Sequence, residues 1–364
     1  MSLNSFEGIN LIFHTIGPGG GMERYTMDLI HGFLKSGLKV RVIVNKLIWD
    51  GSIPEGLDFV VMKGPKLFGS RLRNLWYEKN ASMEVNQAWP VISLSHTPYY
   101  SDIAITGGTH KRHLMRKKIH FIGLFHWIKM NNERVQFELA PQIISHSFEG
   151  ANEIAEDYGI TKSKIQVLYP PIDSKNFTLQ AREKRSLIRQ KWGVSDNEFL
   201  LIFPSNDHRR KGKDLILKAL ELSDPRIRLV VASKTPIQHD KVINLGFQTD
   251  MASVYAAGDA SILASIYEPF GYVGPESILC GTPVILADTV GATEVLMEPA
   301  CFKFERSVNG LVQVLARVID LFDSGGLNLP DPLKYINYSC AVDCHIEDLL
   351  KHISRTRELS IDKI

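Results

Sequence analysis

The sequence predicts an α/β protein of two parallel-sheet domains. Three observations carry that prediction: the length of the chain, a strand, glycine loop, helix, strand opening, and the return of the same grammar after residue 190. At 364 residues the chain exceeds one ordinary core and suits two domains of roughly 150 to 200 residues each. Apolar residues at 44% and charged residues at 23% match a well-buried globular chain, which excludes wholesale disorder. The formal net charge of +2 gives no global pull toward nucleic acid, so an anionic partner must be met locally.

Residues 9–13 read as a buried strand, and a glycine cluster at 17–21 follows. Residues 22–36 then form an amphipathic helix, with Leu29, Ile30, Phe33 and Leu34 at helical spacing and Gly37 as its stop. Residues 39–44 are the second strand. In the other half, residues 199–203 and 227–232 are strands around a helix at 213–222, the order of a parallel sheet. The join falls at Tyr169-Pro170-Pro171-Ile172-Asp173, where consecutive prolines hold the backbone extended. The expected domains are therefore 1–169 and 170–364, with a last helix over 341–357 free to pack on either lobe.

The stretch with most chemistry is Glu268-Pro-Phe-Gly-Tyr-Val-Gly-Pro-Glu276, followed by Gly281-Thr-Pro-Val-Ile. Two carboxylates bracket a glycine loop that leads into a helix expected to start near Pro275. Free N–H groups there favour the negative charge of a diphosphate. Glu276 is then placed to accept hydrogen bonds from ribose hydroxyls, and Glu268 to reach the sugar beyond the phosphates.

This segment resembles the Glu-x7-Glu motif of the retaining glycosyltransferases of family 4, the group 1 transferases that include lipopolysaccharide core enzymes. The resemblance implies the GT-B fold: two Rossmann-like domains facing each other across a cleft, the first for the acceptor and the second for a nucleotide sugar. Gly274-Pro275 departs from the apolar pair the family carries there. By the same resemblance Phe270, Gly271 and Tyr272 belong to the donor site with the two glutamates. The loop Phe203-Pro-Ser-Asn-Asp-His-Arg-Arg-Lys-Gly-Lys-Asp214 resembles the family's loop ending in RKG, which makes Arg210 and Lys211 the phosphate cations. Fixed cations stabilise a leaving diphosphate without reorganising, so no metal or other cofactor is expected. Without the family context, four cations in a turn read as a solvated loop.

The segment from Gly17 through Pro18 to Tyr25 resembles the family's GG-x-E-R loop, where Gly20 and Gly21 let backbone approach the donor. No third glycine follows at GxGxxG spacing, which weakens a dinucleotide reading. The stretch Asp102-Ile-Ala-Ile-Thr-Gly-Gly-Thr-His110 resembles the turn that delivers a histidine to the acceptor side. His110 is the expected base or hydrogen-bond partner of the attacking hydroxyl, and His113, Asp102 and Glu23 are its rivals.

Segment 111–127 mixes Lys111, Arg112, Arg116, Lys117 and Lys118 with Phe121, Phe125 and Trp127. That mixture suits an anionic membrane surface or an anionic glycolipid, and equally a helix with one solvated basic face. Scattered cysteines and the absence of a spanning run place the chain in the cytoplasm, with the inner face of a membrane as an option. Cys340, Cys344 and His345 read as packing and not as metal ligands. The expected reaction takes a sugar from a UDP-, GDP- or ADP-sugar to a hydroxyl of a glycan or glycolipid, in cell-surface polysaccharide or lipopolysaccharide synthesis. The rivals are an epimerase or phosphorylase on the same fold, which would need no such acceptor or would consume phosphate, and a binding protein that transfers nothing.

Overall fold

The computed structural model describes residues 6–17, 19–65, 67, 69–119 and 121–361, with side chains to 357. Pro18 of the glycine loop lies outside the described residues. The chain divides into two compact units, Met1–Pro171 with Ala341–Ile364, and Ile172–Cys340.

The first unit is a parallel sheet of β1 (Gly8–Ile16), β2 (Lys39–Leu47), β3 (Leu57–Val61), β4 (Val91–Ser93), β5 (Ile103–Thr106), β6 (Gln142–Ser145) and β7 (Ile165–Val167). Its order is β3-β2-β1-β4-β5-β6-β7. Apolar runs such as Gly8–Ile16 form strands because helices cover both faces of a parallel sheet. Those helices are α1 (Gly21–Lys35), α2 (Ser70–Asn80), α3 (His110–Arg116), α4 (Leu124–Leu139) and α5 (Phe148–Tyr158). Beneath α2, Ile12, Ile43, Tyr77, Ala81 and Val91 form one core cluster. Tyr77 is fully buried there because its hydroxyl donates to the Phe13 and Ile43 carbonyls, at 2.9 and 2.7 Å. Under α4 and α5, Phe137, Ala140, Ile143 and Ile154 form a second.

The second unit repeats the scheme with β8 (Phe199–Pro204), β9 (Ile227–Ala232), β10 (Val242–Gly246), β11 (Ala260–Leu263), β12 (Val284–Ala287) and β13 (Cys301–Phe304). The order is β10-β9-β8-β11-β12-β13, and every pair is parallel. Its helices are α6 (Arg185–Lys191), α7 (Lys213–Glu221), α8 (Met251–Ala257), α9 (Val273–Leu279) and α10 (Val308–Asp323). In both sheets the strand order reverses once, between β1 and β4 and between β8 and β11. The carboxyl ends of strands at such a switch point open a crevice, which is where open α/β sheets bind ligands.

The last helix, α11 (Val342–Ile361), belongs to the first unit, so the span 170–364 assigned to a second lobe ends instead at Cys340. Its seat on α1 depends on Gly32, where a Cβ would stand 2.5 Å from Ile346 Cγ1. Tyr25 and His345 Nε2, both buried, meet at 2.8 Å, and Arg357 Nε donates to Asp102 at 3.1 Å. His345 is thus spent on packing, beside a buried Cys340 and an exposed Cys344.

Candidate active site

The switch point of the second unit gathers the loops after β8 and β11. The first loop turns at Gly212, whose φ is +85° and whose Cβ would come within 2.1 Å of the Ala264 carbonyl oxygen. Only glycine fits there, and its close approach locks the Arg210-Lys211 turn against the end of β11. The Ile266 amide donates to the Arg210 carbonyl at 2.8 Å, a second tie between the loops.

Arg210 Nη1 then reaches Glu268 Oε2 at 2.5 Å and the Tyr267 carbonyl at 3.1 Å. Ser265 Oγ donates to the same Glu268 oxygen at 3.3 Å. Lys211 is partly buried and donates to the Pro204 carbonyl at 3.3 Å. Burial pushes its ammonium below the ordinary range, the charge of Glu268 opposes that shift, and Arg210 adds to it. The structure therefore brings Arg210, Lys211 and Glu268 into one charged group, with exposed Asp207 at its edge.

The Glu268 loop is clamped by a segment the sequence reading passed over. Glu268 pairs with Val290 as a parallel bridge, and the Gly291 and Ala292 amides donate to the Glu268 and Phe270 carbonyls at 3.0 and 2.7 Å. Thr289 Oγ1 adds a bond to the Ser265 carbonyl at 2.6 Å. Gly271, at φ +97°, lies so close to Val290 that a Cβ would meet its Cγ1 at 2.7 Å. The Phe270 ring is buried against Tyr272 and Tyr338 and serves the core.

Helix α9 begins at Val273, ahead of the expected start near Pro275. Proline is accepted in a first turn because its missing N–H has no intrahelical partner there. The Gly274 and Glu276 amides donate to the Gly271 and Tyr272 carbonyls, both at 3.0 Å. Glu276 is buried at 3% exposure, and its Oε2 accepts from the Tyr255 hydroxyl at 2.9 Å. It is held by Tyr255 of α8.

In the first unit, Gly20 caps α1 and Gly21 opens it. The Gly20 amide is taken by Glu23 Oε2 at 2.9 Å, so Glu23 acts as a capping residue. Asp102, another rival base, is buried and accepts from the Val91 amide at 2.8 Å and from Arg357. His110 starts α3 behind the cap of Thr109, whose side chain accepts from the Arg112 amide at 3.1 Å. His110 Nε2 lies 3.0 Å from His126 Nδ1, and the ring is lowered to about 4 by burial first and then by Lys129, His126 and His113. The ring is therefore neutral at pH 7, able to accept a hydrogen bond but only a weak base.

Around it stand two buried carboxylates and their partners that no motif announced. Glu78, fully buried, accepts from His14 Nε2 at 2.8 Å and pairs with Lys129. Glu133, also fully buried, accepts the His110 amide and faces His96 Nδ1 at 3.4 Å. The one signal in the sequence is the polar spacing of His126, Lys129, Glu133 and Gln136 along a helix, indistinguishable there from a solvated face.

A model of the glycosyl transferases group 1 matches residues 184–320, and one of Glycosyltransferase Family 4 matches residues 19–176. A probable transglycosylase of Burkholderia thailandensis is 32% identical over 354 residues, 94% of this chain and 95% of that one. The chain belongs to the group 1 glycosyltransferases. Its fold is GT-B, with two parallel-sheet Rossmann-like domains. The structure of WaaG, a glycosyltransferase involved in lipopolysaccharide biosynthesis, superposes at a TM-score of 0.71 with 17% identity, covering 96% of this chain and 98% of that one. Anabaena HepE in complex with UDP superposes at 0.69 with 16% identity, covering 96% and 100%. For this glycosyltransferase, the family match spans both the RKG turn and the Glu268 loop of the second unit, and the glycine loop and His110 of the first.

Proposed function

We propose that the chain is a retaining glycosyltransferase that moves a sugar from a UDP-, GDP- or ADP-sugar to a hydroxyl of a glycan or glycolipid, in cell-surface polysaccharide or lipopolysaccharide synthesis. The observation that carries this reading is the Arg210–Glu268 pair beside Lys211 at the switch point of the second sheet. Two cations next to a carboxylate suit a sugar diphosphate: the cations meet the phosphates, and the carboxylate meets sugar hydroxyls. The bond from the anomeric carbon to the diphosphate oxygen breaks as the acceptor oxygen bonds to the same face of that carbon. The hydroxyl proton passes to the leaving diphosphate, and His110 orients the acceptor. Arg210 and Lys211 carry the developing charge in place of a metal.

The test is a thermal-shift screen of UDP-, GDP- and ADP-sugars, followed by transfer assays with the donor that binds. A donor at a hundred times its Kd raises stability by about 2.7 kcal/mol. Transfer insensitive to EDTA and an anomeric configuration kept in the product are the expected outcomes. Release of an altered sugar nucleotide without acceptor would move the chain to the epimerases. The relative's description as a transglycosylase meets the same assay, since a glycoside donor frees no nucleoside diphosphate.

A glycolipid acceptor is supported by the surface after α3. Phe121, Leu124, Trp127 and Met115 are exposed at 87, 73, 58 and 58%. The basic run beside them is partly spent: Lys111, Arg112 and Arg116 pair with Glu149, Glu153, Glu156 and Asp157 of α5. Exposed Lys117 and Lys118 remain at the end of α3, so apolar insertion is the larger share of any membrane contact. No helix among the described residues is long and apolar enough to cross a membrane. Phe121→Asp with Trp127→Asp should cut cosedimentation with phosphatidylglycerol vesicles about tenfold or more, and unchanged binding would remove this contact.

A further inference from the structure

Helix α4 is inside out. Its buried side chains are Asn132, Glu133, Gln136 and Phe137, three of them polar, while Leu124, Trp127 and Leu139 face solvent. Burying polar groups costs stability unless each finds a partner, and each does. Gln136 Nε2 donates to the Ser95 carbonyl at 2.8 Å, and Asn132 Nδ2 donates to Glu78 Oε2 at 3.3 Å. Glu133 accepts the His110 amide on both oxygens, at 3.0 and 2.9 Å, and also accepts from the Tyr158 hydroxyl. His126, Lys129, Glu133 and Gln136 stand at i, i+3, i+7 and i+10, one stripe of the helix. His126 and Glu133 bond His110 directly, and Lys129 pairs with the buried Glu78.

We propose that this stripe positions His110 for the transfer reaction. Glu133 fixes the backbone where His110 begins α3, and His126 fixes which of its ring nitrogens carries the proton. One hydrogen joins the two rings, and the assignment is His110 Nε2–H donating to His126 Nδ1. That leaves the Nδ1 lone pair of His110 to accept from an incoming hydroxyl. Glu133 and His126 are thus positioning residues that act through His110. The purpose of the device rests on the transferase reading; its geometry does not.

The surroundings agree with a neutral His110 held in one tautomer. Facing it are His113 on α3, His126 and Lys129 on α4, His96 after β4 and Glu78 on α2, and burial first and then the charge of Lys129 keep it neutral against Glu78. Facing Glu133 are Lys129 on its own helix, His96 after β4, and Tyr158 and Asp157 on α5. Burial lifts Glu133 to about 7 against the bonds from Tyr158 and His110.

The test is histidine-selective NMR of the full chain with labelled imidazole nitrogens, titrated across neutral pH, with His110→Gln to assign the ring. In the unsubstituted protein His110 should be protonated on Nε2 at pH 7, with a second inflection near 7 reporting Glu133. Glu133→Gln should keep the tautomer and lose that inflection. Glu133→Ala should raise the His110 pKa by about one unit, as its surroundings loosen. His126→Leu should mix the tautomers, and His126→Asn, whose carbonyl oxygen stands in for Nδ1, should restore one. Should Glu133→Ala fail to fold, the two His126 variants and Glu133→Gln still decide. A single Nε2–H tautomer kept in His126→Leu, or an inflection near 7 kept in Glu133→Gln, overturns the proposal. Thermal shifts with UDP, GDP and ADP are run on the same samples. If none binds, the transferase reading falls while the NMR result stands on its own.

Discussion

On the proposed function, Lys211 and Glu276 serve different parts of the donor. Lys211 is held beside Glu268 with its ammonium partly desolvated, where a charge interacts strongly with a leaving diphosphate. Lys211→Ala should lower kcat by about 10²–10³-fold, the loss seen when one fixed donor to developing charge is removed. Equal turnover in a steady-state assay would count against the whole scheme. On the proposed function Glu276, bound to Tyr255, meets the ribose, so Glu276→Ala should weaken nucleotide binding about tenfold to a hundredfold by calorimetry. Tyr255→Phe separates the two roles, since it removes the internal bond and leaves the carboxylate. Affinity lost equally in Tyr255→Phe would mean that Glu276 serves packing and not the ligand.

At the scale of elements, glycine decides where the loops go. Gly212 carries φ +85° and closes to 2.1 Å on the Ala264 carbonyl once a Cβ is added. Gly212→Ala should cost about 2–4 kcal/mol in urea unfolding, from backbone strain plus the clash. It should also disturb the Arg210 pair with Glu268, so donor affinity falls with stability. Gly37, with open space around its missing Cβ, pays only for its φ of +84°. Gly37→Ala is the control: the smaller loss expected there separates the clash from the strain. Helix α4 shows the complementary case, an element whose polar stripe is placed by the groups it meets and not by its own amphipathicity.

At the scale of the molecule, acid acts unevenly on the two units. His96, His110, His146 and His345 are held near 3, 4, 4 and 3, with burial the first cause in each. A folded pKa below the unfolded one favours the neutral ring. The stability it contributes is complete above about 6.5 and drains as pH falls toward 4. In Glu78, burial alone would raise the carboxyl, but His14 and Lys129 hold it at about 2, so its contribution is lost only further down. Glu133, raised to about 7, has the opposite sign and loses its contribution as pH rises through 7. All the lowered histidines among the described residues lie in the first unit. Hydrogen exchange, corrected for its intrinsic pH dependence, should show protection falling in that unit first between pH 6.5 and 4.5. Equal loss in both units would refute the assignment.

The amino-acid order by itself determined the two α/β halves and the family. Strands buried on both faces must be continuously apolar, and an anion site on a βα loop needs its glycines and cations adjacent in the chain. Glu268-Pro-Phe-Gly and Arg210-Lys-Gly are therefore legible as strings. Tertiary structure alone decided what lies opposite what. Arg210 meets Glu268 across 58 residues, and Glu133 meets the His110 amide across 23. Helix α11 returns to the first unit because Gly32 leaves room for Ile346 more than 300 residues away, a fit that exists only once both helices are formed. Buried carboxylates such as Glu78 and Glu133 look like surface residues in the sequence, since their partners arrive from other strands and helices.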